Sequence, residues 1–494
     1  MRNRLIAGLV SALTTVALLT PAPANAETPS LDWKPCASAP LECATLKVPL
    51  DYRKPGGPTL EVAISRLKSG NPGARRGVLL LNPGGPGGSG LDMPLMIAQL
   101  APPSVTAAYD LIGFDPRGAG NSSRITCALT PDQLRPGKAI PYPAPNGDIS
   151  ANVAYAKQVA GQCAEHAGPV LSYLTTLNTA RDMDRIRLAL GERKISYLGG
   201  SYGSYLGAVY TTLFPAQSDR ILLDSISNPD GIWRPAFRQW APAAETRFDD
   251  FAAWAAARDA EYGLGTSAAA VRATYFELVG KLDATPQGGN DFREQTRAGL
   301  YSDANFVPMA QQWQALKRGE MTVSGGPAGD PQSFYAVFWS VVCGDTAWPR
   351  SIAQHQRDVL VDKWRYPLTN GGPSTVFPCI YWPSKPIEQP LRITDRGPSN
   401  VLLVQNTRDP ATPIAGARAM RAALGDRARL VTAEQGGHGA YLLTPNVCVS
   451  RVATAFLVDG VQPAGDVHCG PELAASDHSR DQTIREIQAR RFPG

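Results

Sequence analysis

The chain has 494 residues, 43% of them hydrophobic and 18% charged, with 48 basic against 43 acidic residues and a net charge of +5. This composition supports a large buried core and excludes a disordered or fibrous chain. With charge so near balance and no long basic run or basic-aromatic stripe, a nucleic-acid partner is not expected.

In chain order, residues 1–26 read as a signal peptide. Arg2 and Arg4 form a basic start, Leu5 to Leu19 an apolar stretch, and Ala24-Asn25-Ala26 a small-residue cleavage site. The apolar stretch, broken by Ser11, Thr14 and Thr15, is short for a membrane span. No second span follows it, so the expectation is a secreted, extracellular protein with no stable membrane insertion after cleavage. Eight cysteines suit an oxidising compartment. Neighbours in sequence are expected to pair, Cys36 with Cys43, Cys127 with Cys163, Cys343 with Cys379 and Cys448 with Cys469, although spacing alone does not fix connectivity. No C-x-x-C occurs, and His468 beside Cys469 makes a poor zinc site, so no metal is expected.

Thr45 to Leu50 and Leu60 to Arg66 read as strands, Val78 to Leu81 as a buried strand running into Asn82-Pro83-Gly84-Gly85-Pro86-Gly87-Gly88-Ser89-Gly90, and Ala107 to Phe114 as another. Asn178 to Leu190 has helical periodicity, and Ile195 to Leu198 and Ile221 to Leu223 continue the strand series. Apolar strands separated by helices predict a mostly parallel α/β sheet covered on both faces. From Trp233 to Pro390 the texture becomes helical and alanine-rich, as in Phe237 to Ala257 and Ala268 to Lys281, with turn-rich stretches at Gly325 to Pro331 and Pro367 to Ser374. Val401 to Gln405, the helical Pro413 to Leu424 and the strand Ala428 to Thr432 then resume the sheet pattern. The expected organisation is a core begun by residues 27–230, a mainly helical cap at 231–395 inserted between late strands, and a core completed by residues 396–494.

Gly199-Gly200-Ser201-Tyr202-Gly203 lies between a strand and the apolar run Leu206 to Leu213, the context in which G-x-S-x-G presents a serine on a tight turn. Such a serine needs a base and a residue to hold that base. Of five histidines, His438 sits in a glycine-rich turn directly after the last predicted sheet strand. His166 and His478 fit surface positions, and His355 lies in the cap, where it can meet substrate. Asp409, in a turn after Val401 to Gln405, is the expected acid, with Asp224 as competitor in a more structural setting. The order Ser201, Asp409, His438 is that of the α/β-hydrolases. The amide of Tyr202 and one from the glycine loop, Gly85 with Gly84 and Gly87 as alternatives, would form an oxyanion hole. Asp115 and Arg117 read as a structural turn or ion pair.

Taken together, Val48-Pro49-Leu50-Asp51-Tyr52, the glycine loop, Asp115 to Ser122, Gly200 to Gly207, the Asp409 turn and Gly437-His438-Gly439 resemble the secreted tripeptidyl aminopeptidase and prolyl aminopeptidase-like family of actinobacterial α/β-hydrolases. The resemblance spans nearly the whole chain after the leader. It implies a cofactor-independent serine exopeptidase that removes short fragments, such as tripeptides, from free peptide N-termini. It further implies an acidic residue near the cap that receives the substrate ammonium, for which Asp345, Glu245, Asp249 and Asp250 are candidates. Relatives carry an extra cysteine pair in the early cap, whereas here Trp254 is followed by Ala255. A secreted esterase with the same triad is the alternative, and a non-catalytic binding protein on this fold is a weaker one.

Overall fold

The structure is a computed structural model, and it describes residues 31–285, 288–320, 330–444, 446–472 and 481–486. The expected signal peptide, His478 and most of the turn-rich stretch from Gly325 lie outside the described residues.

Ten strands form one sheet: β1 (Lys34–Pro35), β2 (Glu42–Pro49), β3 (Thr59–Leu67), β4 (Gly77–Asn82), β5 (Tyr109–Phe114), β6 (Ile195–Gly200), β7 (Ser218–Asp224), β8 (Val401–Arg408), β9 (Ala428–Gly436) and β10 (Val467–Cys469). Their spatial order is β1-β2-β3-β5-β4-β6-β7-β8-β9-β10. The three pairings that carry the sheet from β1 to β5 are antiparallel, and all those from β5 to β10 are parallel. The fold is thus the expected mostly parallel α/β-hydrolase sheet, with an antiparallel margin at the N-terminal end. The parallel strands carry continuous apolar runs because helices cover both faces: every residue of β4, GVLLLN, is buried, the terminal Asn82 included.

The elements follow the hydrophobic pattern, with shifts at their ends. Ala107 and Ala108, read as strand, instead end the short helix Pro103–Ala108, where small residues tolerate helix and the β-branched signal begins only at β5. The long helix expected over Phe237 to Ala257 is divided at Gln239 into Arg234–Arg238 and Trp240–Ala256. Pro331, expected in a loop, starts the helix Pro331–Gly344, as proline's fixed φ permits in a first turn.

Among the described residues between β7 and β8, the regular elements are all helical. Their aromatic residues, Phe248, Phe251, Tyr275, Phe292, Phe306 and Trp313, form a core distinct from the cores on the two sheet faces. A second segment joins them, between β5 and β6. Arg135 and the amide of Gly137 bind Asp291, and Tyr142 donates to Glu294 at 2.8 Å. Four disulfides join the cysteine pairs expected from the sequence, and among the described residues no cysteine is free. No described helix is long and apolar enough to cross a membrane.

In this strand order the chain moves from β4 to β5 on one side and later returns to β6 on the other. The carboxyl ends of β4 and β6 therefore open a crevice at the switch of direction, where α/β sheets place their ligands.

Candidate active site

Ser201 lies at the end of β6, in that crevice. Its backbone adopts φ 58° and ψ −126°, a conformation unusual for a residue with a side chain, before the helix Tyr202–Leu213 begins. The turn is held from several sides. The Ser201 amide donates to the Asp224 carbonyl at 3.0 Å, and the Ser201 carbonyl accepts from Ser204 Oγ at 2.6 Å and Ser227 Oγ at 3.1 Å. A Cβ at Gly203 would lie 2.8 Å from Asn82 Oδ1 and 2.9 Å from the Asn82 carbonyl, so glycine lets the helix start abut the end of β4.

The glycine loop leaves β4 beside this turn. Gly84 has φ 102°, and a Cβ there would come within 2.7 Å of the Gly200 carbonyl and 3.0 Å of Ser201 Cβ. Asp115, buried at the end of β5, ties down the far end of the loop: it accepts from Ser89 Oγ at 2.6 Å, the Gly90 amide at 2.9 Å and the Asn121 amide at 2.7 Å. Burial raises its carboxyl pKa, and these hydrogen bonds oppose that rise. Arg117 pairs with Asp182 instead of Asp115, at 2.6 Å with both side chains 1% exposed. Asp115 and Arg117 therefore serve two separate structural ties.

His438 follows β9, and its Nδ1 lies 3.0 and 2.9 Å from the two carboxylate oxygens of Asp409, with both side chains almost wholly buried. Asp409 also accepts from the amides of Ala411 at 2.8 Å and Thr412 at 2.9 Å, and from Thr412 Oγ1 at 2.9 Å. Burial pushes its carboxyl pKa up, but the His438 charge and these donors outweigh burial and hold it below the usual range. Asp224 accepts instead the amides of Ala440 and Tyr441, at 2.7 and 3.0 Å. The His438 amide donates to the Tyr301 carbonyl at 2.7 Å, and the two rings lie 5.1 Å apart.

Two chambers meet at Ser201. One, with about 880 Å³ of free space including open solvent, is bounded by Gly85, Tyr202, Trp233, Phe237, Trp240, Arg297, Tyr301, Phe334 and Phe338. The other, about 480 Å³ on the same measure, is bounded by His438 and by Met93, Met96, Ile97, Leu442 and Leu443. Gly85 and Tyr202 thus share the aromatic chamber with Ser201, and His438 shares the aliphatic one.

None of the four expected ammonium partners borders either chamber. Glu245 pairs with Arg272 and accepts the Leu368 amide, Asp249 is exposed, and Asp250 bridges Arg247 and Arg408. Asp345 stands one residue behind the wall, accepting from Trp233 Nε1 at 3.2 Å and from the Thr176 amide and hydroxyl at 2.8 and 2.6 Å. Burial pushes its pKa up to about 6. His355 is buried against the Pro349 and Ser374 carbonyls, away from both chambers. The sequence reading did not single out Arg297, Tyr301 or the Phe334 to Phe338 face. Arg297 pairs with Glu294, donates to Tyr301 Oη at 2.9 Å and stacks over Trp240 at 4.9 Å, so the guanidinium at the chamber wall is already neutralised. The apolar run Phe334 to Val342 was the available signal for this wall.

A family model described as "TAP-like protein" matches residues 370–469. Over 476 residues the chain is 35% identical to a tripeptidyl aminopeptidase of Streptomyces lividans, covering 91% of this chain and 88% of that protein. It is 28% identical to serine protease Hip1 of Mycobacterium tuberculosis, over 89% and 91% of the two chains. A carboxylesterase B of Mycobacterium tuberculosis is 30% identical, over 94% and 96%. With the sheet, the cap helices and the serine turn already in place, these likenesses identify the chain as a member of the tripeptidyl aminopeptidase-like family of α/β-hydrolases, which are serine hydrolases.

Proposed function

We propose that this protein is a secreted serine exopeptidase that removes short fragments, such as tripeptides, from free peptide N-termini through an acyl-enzyme on Ser201. The observation that carries the reading is the convergence of a serine held at positive φ, a histidine anchored by a buried aspartate, and a glycine loop against the serine turn. The likeness to the Streptomyces tripeptidyl aminopeptidase and the Mycobacterium serine protease supports a peptide substrate.

With Nδ1–H donated to Asp409, the other ring nitrogen of His438 is the basic one. It takes the Ser201 proton as Oγ attacks the carbonyl, and the Tyr202 and Gly85 amides stabilise the oxyanion. His438 then protonates the departing amine and later activates the water that cleaves the acyl-serine. Because the oxyanion donors border the aromatic chamber and the general acid borders the aliphatic one, the acyl fragment occupies the first and the leaving peptide departs through the second. Four disulfides support an oxidising, extracellular setting, consistent with the leader expected at residues 1–26.

A second reading, an esterase, is favoured by the carboxylesterase B relative and by the aromatic chamber wall, which carries no carboxylate among the described residues. Peptides of defined length, free or N-acetylated, followed by mass spectrometry separate the two. Release of short N-terminal fragments from free peptides alone is the expected result. Hydrolysis of simple esters with no peptide products would establish the esterase instead.

A further inference from the structure

Asp224 is a buried carboxylate at the active site that the proposed chemistry does not use. Its side chain is 7% exposed and borders the chamber shared by Ser201 and His438. No ion-pair partner is recorded for it among the described residues; instead it holds three groups of protein, the amides of Ala440 and Tyr441 and the Ser225 hydroxyl at 3.2 Å. Its own carbonyl accepts the Ser201 amide. Ser225, forced to φ 54°, directs its Oγ to the Gly439 amide at 2.8 Å, and its own amide donates to the Val404 carbonyl at 3.0 Å. Two consecutive residues at the end of β7 thus grip the nucleophile turn with one backbone carbonyl and the three residues after His438 with two side chains.

A carboxylate deprived of water carries a large desolvation cost, and replacing it with an apolar residue would remove that cost. Its presence is explained if its hydrogen bonds and charge do work at the site. We infer that Asp224 is a positioning residue for His438: it fixes the base loop relative to Ser201 and places a second negative charge, beyond Asp409, in the field of the imidazole. This rests on the reading of His438 as the general base.

The titratable groups that face Asp224 are His438 and Tyr441 from the base loop, with Asp409 on the other side of the imidazole. Burial pushes the Asp224 pKa up to about 6, and the His438 charge and the two loop amides oppose that rise. By reciprocity, ionised Asp224 favours cationic His438. Removing the Asp224 charge therefore removes an attraction to the imidazolium, and the acidic limb of the activity profile is expected to move to lower pH.

The test is kcat, KM and the pH profile of Asp224→Asn and Ser225→Ala, each normalised to active sites titrated with a serine-directed phosphonate. D224N is expected to lower kcat by about tenfold to a hundredfold with KM within about twofold, since displacement of a catalytic group by a fraction of an ångström has that effect. Its acidic limb is expected to move down by about half a pH unit or more. S225A, which removes one loop tie but no charge, is expected to lower kcat with the limb unmoved, and it decides the loop-holding claim if D224N does not fold. Wild-type kcat per titrated site in either folded variant, or an unmoved limb in D224N, would overturn the positioning role. Undiminished turnover in Ser201→Ala would instead overturn the underlying reading of the site, which keeps the two failures distinct.

Discussion

At the scale of single residues, the site is built by fixing side chains that are weak reagents in water. Ser201 is turned toward the two chambers by a backbone conformation that its neighbours enforce, and His438 is oriented by Asp409, whose carboxyl four donors already hold. Asp409→Asn keeps the shape but replaces an acceptor with an amide, favouring the wrong imidazole tautomer. Its kcat is expected to fall by about 10² to 10⁴ with little change in thermal midpoint, measured by steady-state kinetics and calorimetry. Asp345 behaves in the opposite sense. Its folded pKa is pushed up to about 6 from an ordinary 3.8, so its stabilising contribution is full below about pH 4 and is lost as pH rises through 6. The thermal midpoint is expected to rise between pH 7.5 and pH 5, by an amount set by on the order of 1 kcal/mol from this group, since pH 5 lies about one unit below its folded value. Asp345→Asn should reduce that rise, and an equal rise in both proteins would rule Asp345 out as its source. These residues were unequally legible in the sequence. Ser201, Asp409 and His438 stand in short motifs at strand ends, where local chemistry announces the turn. The fate of Glu245 was hidden, because its partners Arg272 and Leu368 lie on other cap elements.

At the scale of elements, the strands were legible because buried parallel strands are short apolar runs. The boundaries were blurred where alanine fits either state, as at Ala107 and Ala108. The segment between β5 and β6 was not recognised as a partner of the cap, since its ties through Arg135, Gly137 and Tyr142 are tertiary. The aromatic chamber likewise draws on separate helices, Arg234–Arg238 and Pro331–Gly344 among them, which only folding brings together. Cys343 ends the second of these helices and is bonded to Cys379 across 36 residues. Replacing both with alanine is expected to cost about 2 to 4 kcal/mol, read by denaturant unfolding. Because this disulfide holds the helix that walls the aromatic chamber, where the acyl fragment is proposed to bind, KM should rise more than kcat falls.

At the scale of the whole molecule, the sheet provides a crevice at the switch between β4 and β6; helices inserted between β7 and β8 wall the aromatic chamber, and the aliphatic chamber is walled by the sheet-bearing core alone. The base is also bound to the cap, through the His438 amide and the Tyr301 carbonyl, so catalytic alignment depends on the docked cap as well as on the sheet. Substrate choice accordingly lies in tertiary surfaces, while the reaction lies in motifs that can be read along the chain. The central claim is acyl transfer through Ser201, and the most direct measurement is rapid acid quench during turnover of a free-N-terminus tripeptide p-nitrophenyl ester, whose good leaving group makes acylation faster than deacylation, followed by peptide mapping and mass spectrometry. The account predicts one acyl adduct, on Ser201, that accumulates in a burst and is absent from Ser201→Ala. An adduct on another residue, or undiminished turnover by that variant, would contradict it.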